Sequence, residues 1–196
     1  MNEELYIKIV DAIAEDGYIV IQNALDEKLV RALEGMAKDE VAFKKAGISA
    51  ASDLHLDASK RRDKISWLDE DASVMSEYLA FANSLKELLN RELYLGLSYY
   101  EAHFARYEEG DFYEKHLDAF RGSKNRVVTT VLYLNEEWNE RDGGELIIYN
   151  EEDEKVKKVI PNAGTLVVFL SEKFPHEVLP SKMKRHSIAG WFRIDR

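Results

Sequence analysis

The chain has no cysteine among its 196 residues. Disulfides, thiolate metal ligands and thiol catalysis are therefore excluded, and the lack fits a reducing compartment. Long apolar runs are missing too: none approaches the roughly 18 residues that span a bilayer. The N-terminus, Met1-Asn2-Glu3-Glu4-Leu5, lacks the basic and apolar regions of a signal peptide. A soluble, cytoplasmic protein with no membrane partner is expected. Positive charge is in short supply, with 27 Lys and Arg against 37 Asp and Glu and a net charge of −10. Wrapping a phosphate backbone rests on Lys and Arg neutralising phosphates, so nucleic acid is not an expected partner. Repeats, linkers and low-complexity tracts are also absent. The length suits one hydrophobic core, and residues 1–196 are read as a single domain.

Two halves differ in pattern. Residues 1–96 are helix-rich. Leu5, Ile7, Ile9, Val10, Ile13 and Ala14 mark a stripe that stops near Gly17. Asp26 and Glu27 open a second helix, and Val74 to Tyr94 is the longest helical pattern. Tyr18 to Ile21 and Asp63 to Leu68 are short strands, and 43–64 is a long irregular segment. From 97 to 196 the period changes to two. Ser98–Tyr107, Phe112–Asp118, Val127–Leu134, Glu145–Tyr149, Lys155–Ile160, Thr165–Leu170, His176–Leu179 and Arg185–Ile194 read as strands. Helices followed by runs of strands indicate α+β. Eight closely spaced strands indicate a jelly roll, a double-stranded β-helix, with the N-terminal helices packed on one sheet.

The chemistry starts at His116-Leu117-Asp118. Residues two apart in an extended segment face the same way, so an imidazole and a carboxylate stand side by side, with Leu117 turned into the barrel wall. A second imidazole has to come from the later strands. In a jelly roll, strands distant in sequence face each other, so His176, at the start of its strand, can reach the pair. Two His and one carboxylate with open positions suit non-haem iron(II) that activates oxygen. Among the other histidines, His103 reads as core filler, His55 lies in a polar loop and His186 alternates away from Arg185. Arg185, Ser187, Ala189 and Trp191 share a face, and a buried guanidinium there calls for an anion, a planar carboxylate being its bidentate match. Thr129, Val131 and Tyr133 share a face, an apolar wall with one phenol able to hydrogen-bond a carboxylate.

From Tyr107 to Trp191 the chain resembles the iron(II)- and 2-oxoglutarate-dependent dioxygenases. It is most similar to the prolyl hydroxylases that act on hypoxia-inducible factor and their bacterial relatives. The resemblance is carried by His116-x-Asp118, Arg126, Tyr133-Leu134-Asn135, Trp138, Gly143-Gly144, Pro175-His176-Glu177-Val178, Arg185 and Trp191. Upstream, Arg61-Arg62-Asp63-Lys64-Ile65-Ser66-Trp67 resembles the subfamily's Arg-Gly-Asp-Lys-Ile-x-Trp, with Arg62 in place of Gly. A Thr of the subfamily's final strand is Ala189 here.

The resemblance implies His116, Asp118 and His176 as catalytic ligands of Fe(2+). It implies Arg185 and Tyr133 on the distal carboxylate of 2-oxoglutarate, with Tyr107 near the chelating end. Tyr113, Arg126 and Trp191 would line the substrate side, and the loop within 43–64 would be a flap. It further implies O2 as cosubstrate, ascorbate as reductant, and release of succinate and CO2. The partner would be a protein with an exposed proline, a translation factor being one candidate, and the enzyme a monomer with a dimer as the alternative. A small-molecule 2-oxoglutarate oxygenase and a non-catalytic metal- or ligand-sensing barrel are the rival readings.

Overall fold

Three segments carry apolar residues at helical spacing, and each forms a helix that buries that stripe. The computed structural model describes residues 3–38, 44–45, 60–68, 73–119 and 125–195. Helix α1 (Glu3–Glu15) buries Leu5, Tyr6, Ile9, Val10 and Ile13. It is followed by Gly17 at φ +77°, where a Cβ would stand 2.9 Å from the Phe174 ring. Helix α2 (Glu27–Ala37) starts at Asp26, whose carboxylate accepts the Lys28 N–H at 2.8 Å. Helix α3 (Ser73–Leu93) buries Met75, Tyr78, Ala82, Leu85 and Leu89.

The strands are β1 (Tyr18–Ile21), β2 (Lys44–Lys45), β3 (Lys64–Trp67), β4 (Tyr99–Tyr107), β5 (Tyr113–His116) and β6 (Arg126–Tyr133), then β7 (Leu146–Tyr149), β8 (Lys155–Val159), β9 (Leu166–Leu170), β10 (His176–Val178) and β11 (Arg185–Arg193). They form an antiparallel seven-stranded sheet, β1-β9-β6-β11-β4-β3-β2, and a four-stranded one, β5-β10-β7-β8. The α+β double-stranded β-helix is as the sequence pattern indicates. The N-terminal half is more than helical support, because β1 joins one side of the large sheet, on β9, and β3 and β2 the other, on β4.

Strand alternation sorts the large sheet into two faces. Phe104, Val128, Leu132, Ile188 and Phe192 meet the helices in one core. Ala105, Tyr107, Val131, Tyr133, Val167 and Phe169 turn the other way, toward Leu146, Ile148 and Val178 of the small sheet. Full burial of one such aliphatic or Phe side chain contributes about 1.5–3 kcal/mol. Register then ranks the inner face in rungs. Arg185 lies opposite Tyr107, Ala189 opposite His103 and Trp191 opposite Glu101. On the other flank of β11, Ser187 lies opposite Tyr133, Ala189 opposite Val131 and Trp191 opposite Thr129.

Two expectations need correction. The strand expected over Phe112–Asp118 ends at His116, and Asp118 sits in the bend beyond it. With the strand over, Leu117 does not enter the barrel wall but is 36% exposed. Most of the expected flap, 43 and 46–59, and with it His55, lies outside the described residues. The part described runs along β5: the Arg62 N–H donates to Phe112 O at 3.2 Å and the Glu114 N–H to Lys60 O at 2.8 Å.

Candidate metal centre

His116 ends β5 and His176 begins β10, and the antiparallel register sets them directly opposite each other. Their ring centroids are 4.3 Å apart. The bend after β5 turns Asp118 back between them. Its two oxygens lie 3.7 Å from His116 Nε2 and 3.7 Å from His176 Nε2. One ligand atom from each of the three falls within 4.8 Å of the others. Ligand atoms about 2.1 Å from a shared ion stand roughly 3 Å apart when adjacent, so a small closure completes the set.

Both imidazoles are oriented by the backbone. His116 Nδ1–H donates to Glu114 O at 2.7 Å and His176 Nδ1–H to Phe174 O at 3.0 Å. Each bond leaves Nε2 as the free lone pair. Burial, followed by the neighbouring His176, lowers the His116 pKa to about 3, so its imidazole is neutral at physiological pH. Burial alone would raise the Asp118 carboxyl, but His176, His116 and Arg126 outweigh it and hold the group below the ordinary carboxylate range. Thr129 on β6 donates its hydroxyl to Asp118 Oδ2 at 2.8 Å and meets Ser171 Oγ at 2.8 Å. Two imidazoles and one carboxylate can hold a divalent ion with its other positions open.

A stack supports the site from the loop side. The Tyr113 ring lies on the His116 ring, centroids 3.6 Å apart and planes 15° apart. The Arg61 guanidinium covers the far face of this pair, 4.7 Å from the Tyr113 centroid. Arg61 is held in turn by both oxygens of Asp63, itself only 1% exposed.

Arg185 sits on the inner face of β11, 1% exposed. Its guanidinium carbon is 4.9 Å from the ring centroids of both Tyr107 and Tyr133. Among the described residues no carboxylate pairs with it, and Arg185 Nε and the Tyr133 hydroxyl are buried without a hydrogen-bond partner. Burial raises the Tyr133 phenol despite the opposing pull of Arg185, so it stays a donor. A buried cation beside a buried donor is a seat for a carboxylate. The double glycine makes room for it. A Cβ on Gly144, at φ +70°, would stand 2.9 Å from Ser181 Cβ and 3.2 Å from Arg185 Cδ. Asn135 fastens the start of β11: its amide donates to His186 O at 3.0 Å while its oxygen accepts the His186 N–H.

Arg126 lies over the Trp191 ring at 3.8 Å, and it shares Glu101 with Arg193 at 3.3 and 2.6 Å. The structure thus gathers His116, Asp118 and His176, stacks Tyr113 on His116, groups Arg185 with Tyr107 and Tyr133, and pairs Arg126 with Trp191. It adds Thr129, Ser171, Glu101 and the Arg61–Asp63 pair, which sequence reasoning missed as site residues. Thr129 carried a usable signal, being on the Tyr133 face of β6. The partners of Glu101 and Ser171 come from strands far away in sequence, and no local pattern marks them.

Comparison with known proteins agrees with this geometry. Residues 102–193 match the model of the 2OG-Fe(II) oxygenase superfamily, 2OG being 2-oxoglutarate. A crystal structure of a Pseudomonas putida prolyl-4-hydroxylase superimposes with TM-score 0.87 at 38% identity, covering 97% of this chain and 100% of that one. A prolyl hydroxylase from Trichoplax adhaerens, in complex with a hypoxia-inducible-factor oxygen-degradation-domain peptide, gives TM-score 0.84 at 27% identity over 98% and 90% of the two chains. The hypoxia-inducible factor prolyl hydroxylase of Caenorhabditis elegans is 38% identical over 85 residues, 42% of this chain and 12% of that protein. The chain thus matches only a small part of the length of that much longer relative. Among the described residues no helix is long and apolar enough to cross a membrane. With the His116–Asp118–His176 triad, the buried Arg185 and a full-length relative at 38% identity, the chain belongs to the 2OG-Fe(II) oxygenase superfamily.

Proposed function

We propose that this protein hydroxylates a prolyl residue of a protein substrate, consuming 2-oxoglutarate and O2 and releasing succinate and CO2. The observation that carries the reading is Arg185: a fully buried guanidinium without a carboxylate partner among the described residues, with the Tyr133 hydroxyl beside it, on the inner face of the large sheet, which turns toward the small sheet that carries His116 and His176. A dicarboxylate would answer that arrangement, with Arg185 and Tyr133 holding one of its carboxylates. Iron(II), when bound by His116, Asp118 and His176, supplies the oxygen chemistry.

The chain's own residues do the rest. The two Nδ1–H bonds and Thr129 aim the ligands, Arg185 and Tyr133 orient the cosubstrate, and the apolar inner face excludes water. No side chain is needed as a general base. Tyr113, stacked on His116, and Trp191 with Arg126 over it frame the approach to the triad. The prolyl substrate is supported by the names of the P. putida and T. adhaerens relatives. A translation factor is the first target to test.

The test is mass spectrometry of host proteins with and without the enzyme, scored for a gain of one oxygen on proline. Iron-dependent succinate release by the purified protein is measured alongside. Turnover of free proline, with no modified protein, would replace this reading with a small-molecule oxygenase. Absence of iron-dependent succinate would leave a sensing barrel.

A further inference from the structure

His103 lies on the inner face of β4, directly across from Ala189 and next along the strand from Glu101. Its ring meets the edge of Trp191 at 5.3 Å on one side and of Trp67 at 5.2 Å on the other. Trp191 is buried on the rung that carries Thr129, and Trp67 is 56% exposed. The three rings form a continuous aromatic wall from the metal rung to the surface. It runs on the β4–β3 side of β11, away from β6, where Tyr133 and Thr129 serve cosubstrate and metal ligand.

One atom in that wall is out of place. His103 is 3% exposed, and its Nδ1 is buried with no hydrogen-bond partner among the described residues. An unsatisfied buried polar atom carries a desolvation penalty that an apolar side chain of similar size avoids. Between two indoles a Met or Phe would pack without it. A core-filling role therefore explains the ring but not its nitrogen. The surroundings keep the ring neutral: burial first, then Arg61 and, more weakly, Arg126, against the opposing pull of Asp63 and of its own backbone, lower its pKa to about 4. A neutral imidazole suits an uncharged partner, such as a peptide group.

We infer that His103 is a substrate-specificity residue, its Nδ1 completing a hydrogen bond with the main chain of the peptide that enters along the Trp67–His103–Trp191 wall. The inference rests on the prolyl-hydroxylase reading above and names the residue that grips the substrate there.

The test compares wild type with His103→Met, which keeps the volume, and His103→Asn, which keeps a polar atom near the Nδ1 position. The probe is the peptide in which the wild-type enzyme introduces hydroxyproline. For His103→Met the KM of that peptide rises about five- to tenfold, the worth of one hydrogen bond. Its kcat and the dissociation constant of 2-oxoglutarate, read on manganese-loaded protein, stay within about twofold, the pattern of lost uniform binding. His103→Asn recovers part of the KM. Without substrate, His103→Met melts at or above the wild-type temperature, because it removes an unsatisfied atom. A parallel loss of 2-oxoglutarate affinity would assign His103 to the cosubstrate and overturn the inference. So would an unchanged KM, or a lower melting temperature for His103→Met. The melting arm needs no substrate, so it still decides on His103 if no protein proves to be hydroxylated, a result that would sink the prolyl reading instead.

Discussion

The Thr129 hydroxyl donates to Asp118 Oδ2 at 2.8 Å, and both residues are buried. Strand β6 thereby fixes a carboxylate that the chain itself leaves in a bend after β5. Outer partners of this kind are worth about 10–100-fold in metal affinity. Thr129→Val keeps the shape and removes the donor, and is expected to weaken iron(II) binding by about that factor. Thr129→Ser should restore it. Anaerobic calorimetry with iron(II) reads both. Equal affinity in Thr129→Val and wild type would mean that the bend alone positions Asp118.

Arg185 should separate stability from binding. Truncating one member of a buried, charge-assisted contact costs about 2–5 kcal/mol, so Arg185→Ala should weaken 2-oxoglutarate binding by about a hundredfold or more. Iron binding should survive, because among the described residues Arg185 makes no hydrogen bond or ion pair with the triad. Arg185→Met fills the same space without a buried charge, and replacing buried charge with apolar volume is often neutral or stabilising. The Met variant is therefore expected to melt no lower than wild type without cosubstrate, and to show no gain in melting temperature when 2-oxoglutarate is added. Loss of iron and cosubstrate together would refute the separate anion seat.

Gly144 is the seat of that arginine stem. Any side chain there meets Ser181, Arg185 and Trp138 while the backbone stays at φ +70°. Overpacking costs about 1–3 kcal/mol, and the left-handed backbone adds about 1 kcal/mol. Gly144→Ala should shift the urea midpoint down accordingly and weaken cosubstrate binding, since the guanidinium can no longer hold its place between Tyr107 and Tyr133. A variant with wild-type stability would show that Ser181 and Arg185 yield freely.

Much of this was legible in the sequence, for physical reasons. Period-two alternation placed Arg185 with Trp191 and Thr129 with Tyr133 on shared faces, and the register keeps them there. His176 was reachable because a jelly roll opposes distant strands. What stayed hidden depends on where strands stop and on contacts across the sheet. Alternation runs on past His116 in the sequence, but the backbone leaves the strand, so Leu117 faces solvent and Asp118 needs Thr129 to hold it. The Arg61–Tyr113–His116 stack joins residues more than fifty positions apart, and no local signal announces it. His103 looked like core, and its ring is; only the packed structure shows a nitrogen with nothing to bind.

The same histidine gives a pH prediction with a definite sign. Burial, with Arg61 next, takes the His103 pKa from 6.5 to about 4, and burial followed by Arg106 takes His186 to about 4 as well. The folded-state value lies below the unfolded one, so the unfolded chain takes up the proton first on acidification. The stability held by each neutral ring is complete above pH 6.5 and is lost as pH falls from 6.5 toward 4. For the fully buried His103 the difference corresponds to about 3 kcal/mol. In metal-free protein His116 is linked to protons in wild type and variant alike, so their difference isolates position 103. Urea unfolding of metal-free wild type and His103→Met at neutral pH and near pH 4.5 should show the wild type losing more stability, by up to about 3 kcal/mol. Parallel losses in the two proteins would mean that His103 is already protonated in the fold, which its place between two indoles and two guanidinium groups opposes.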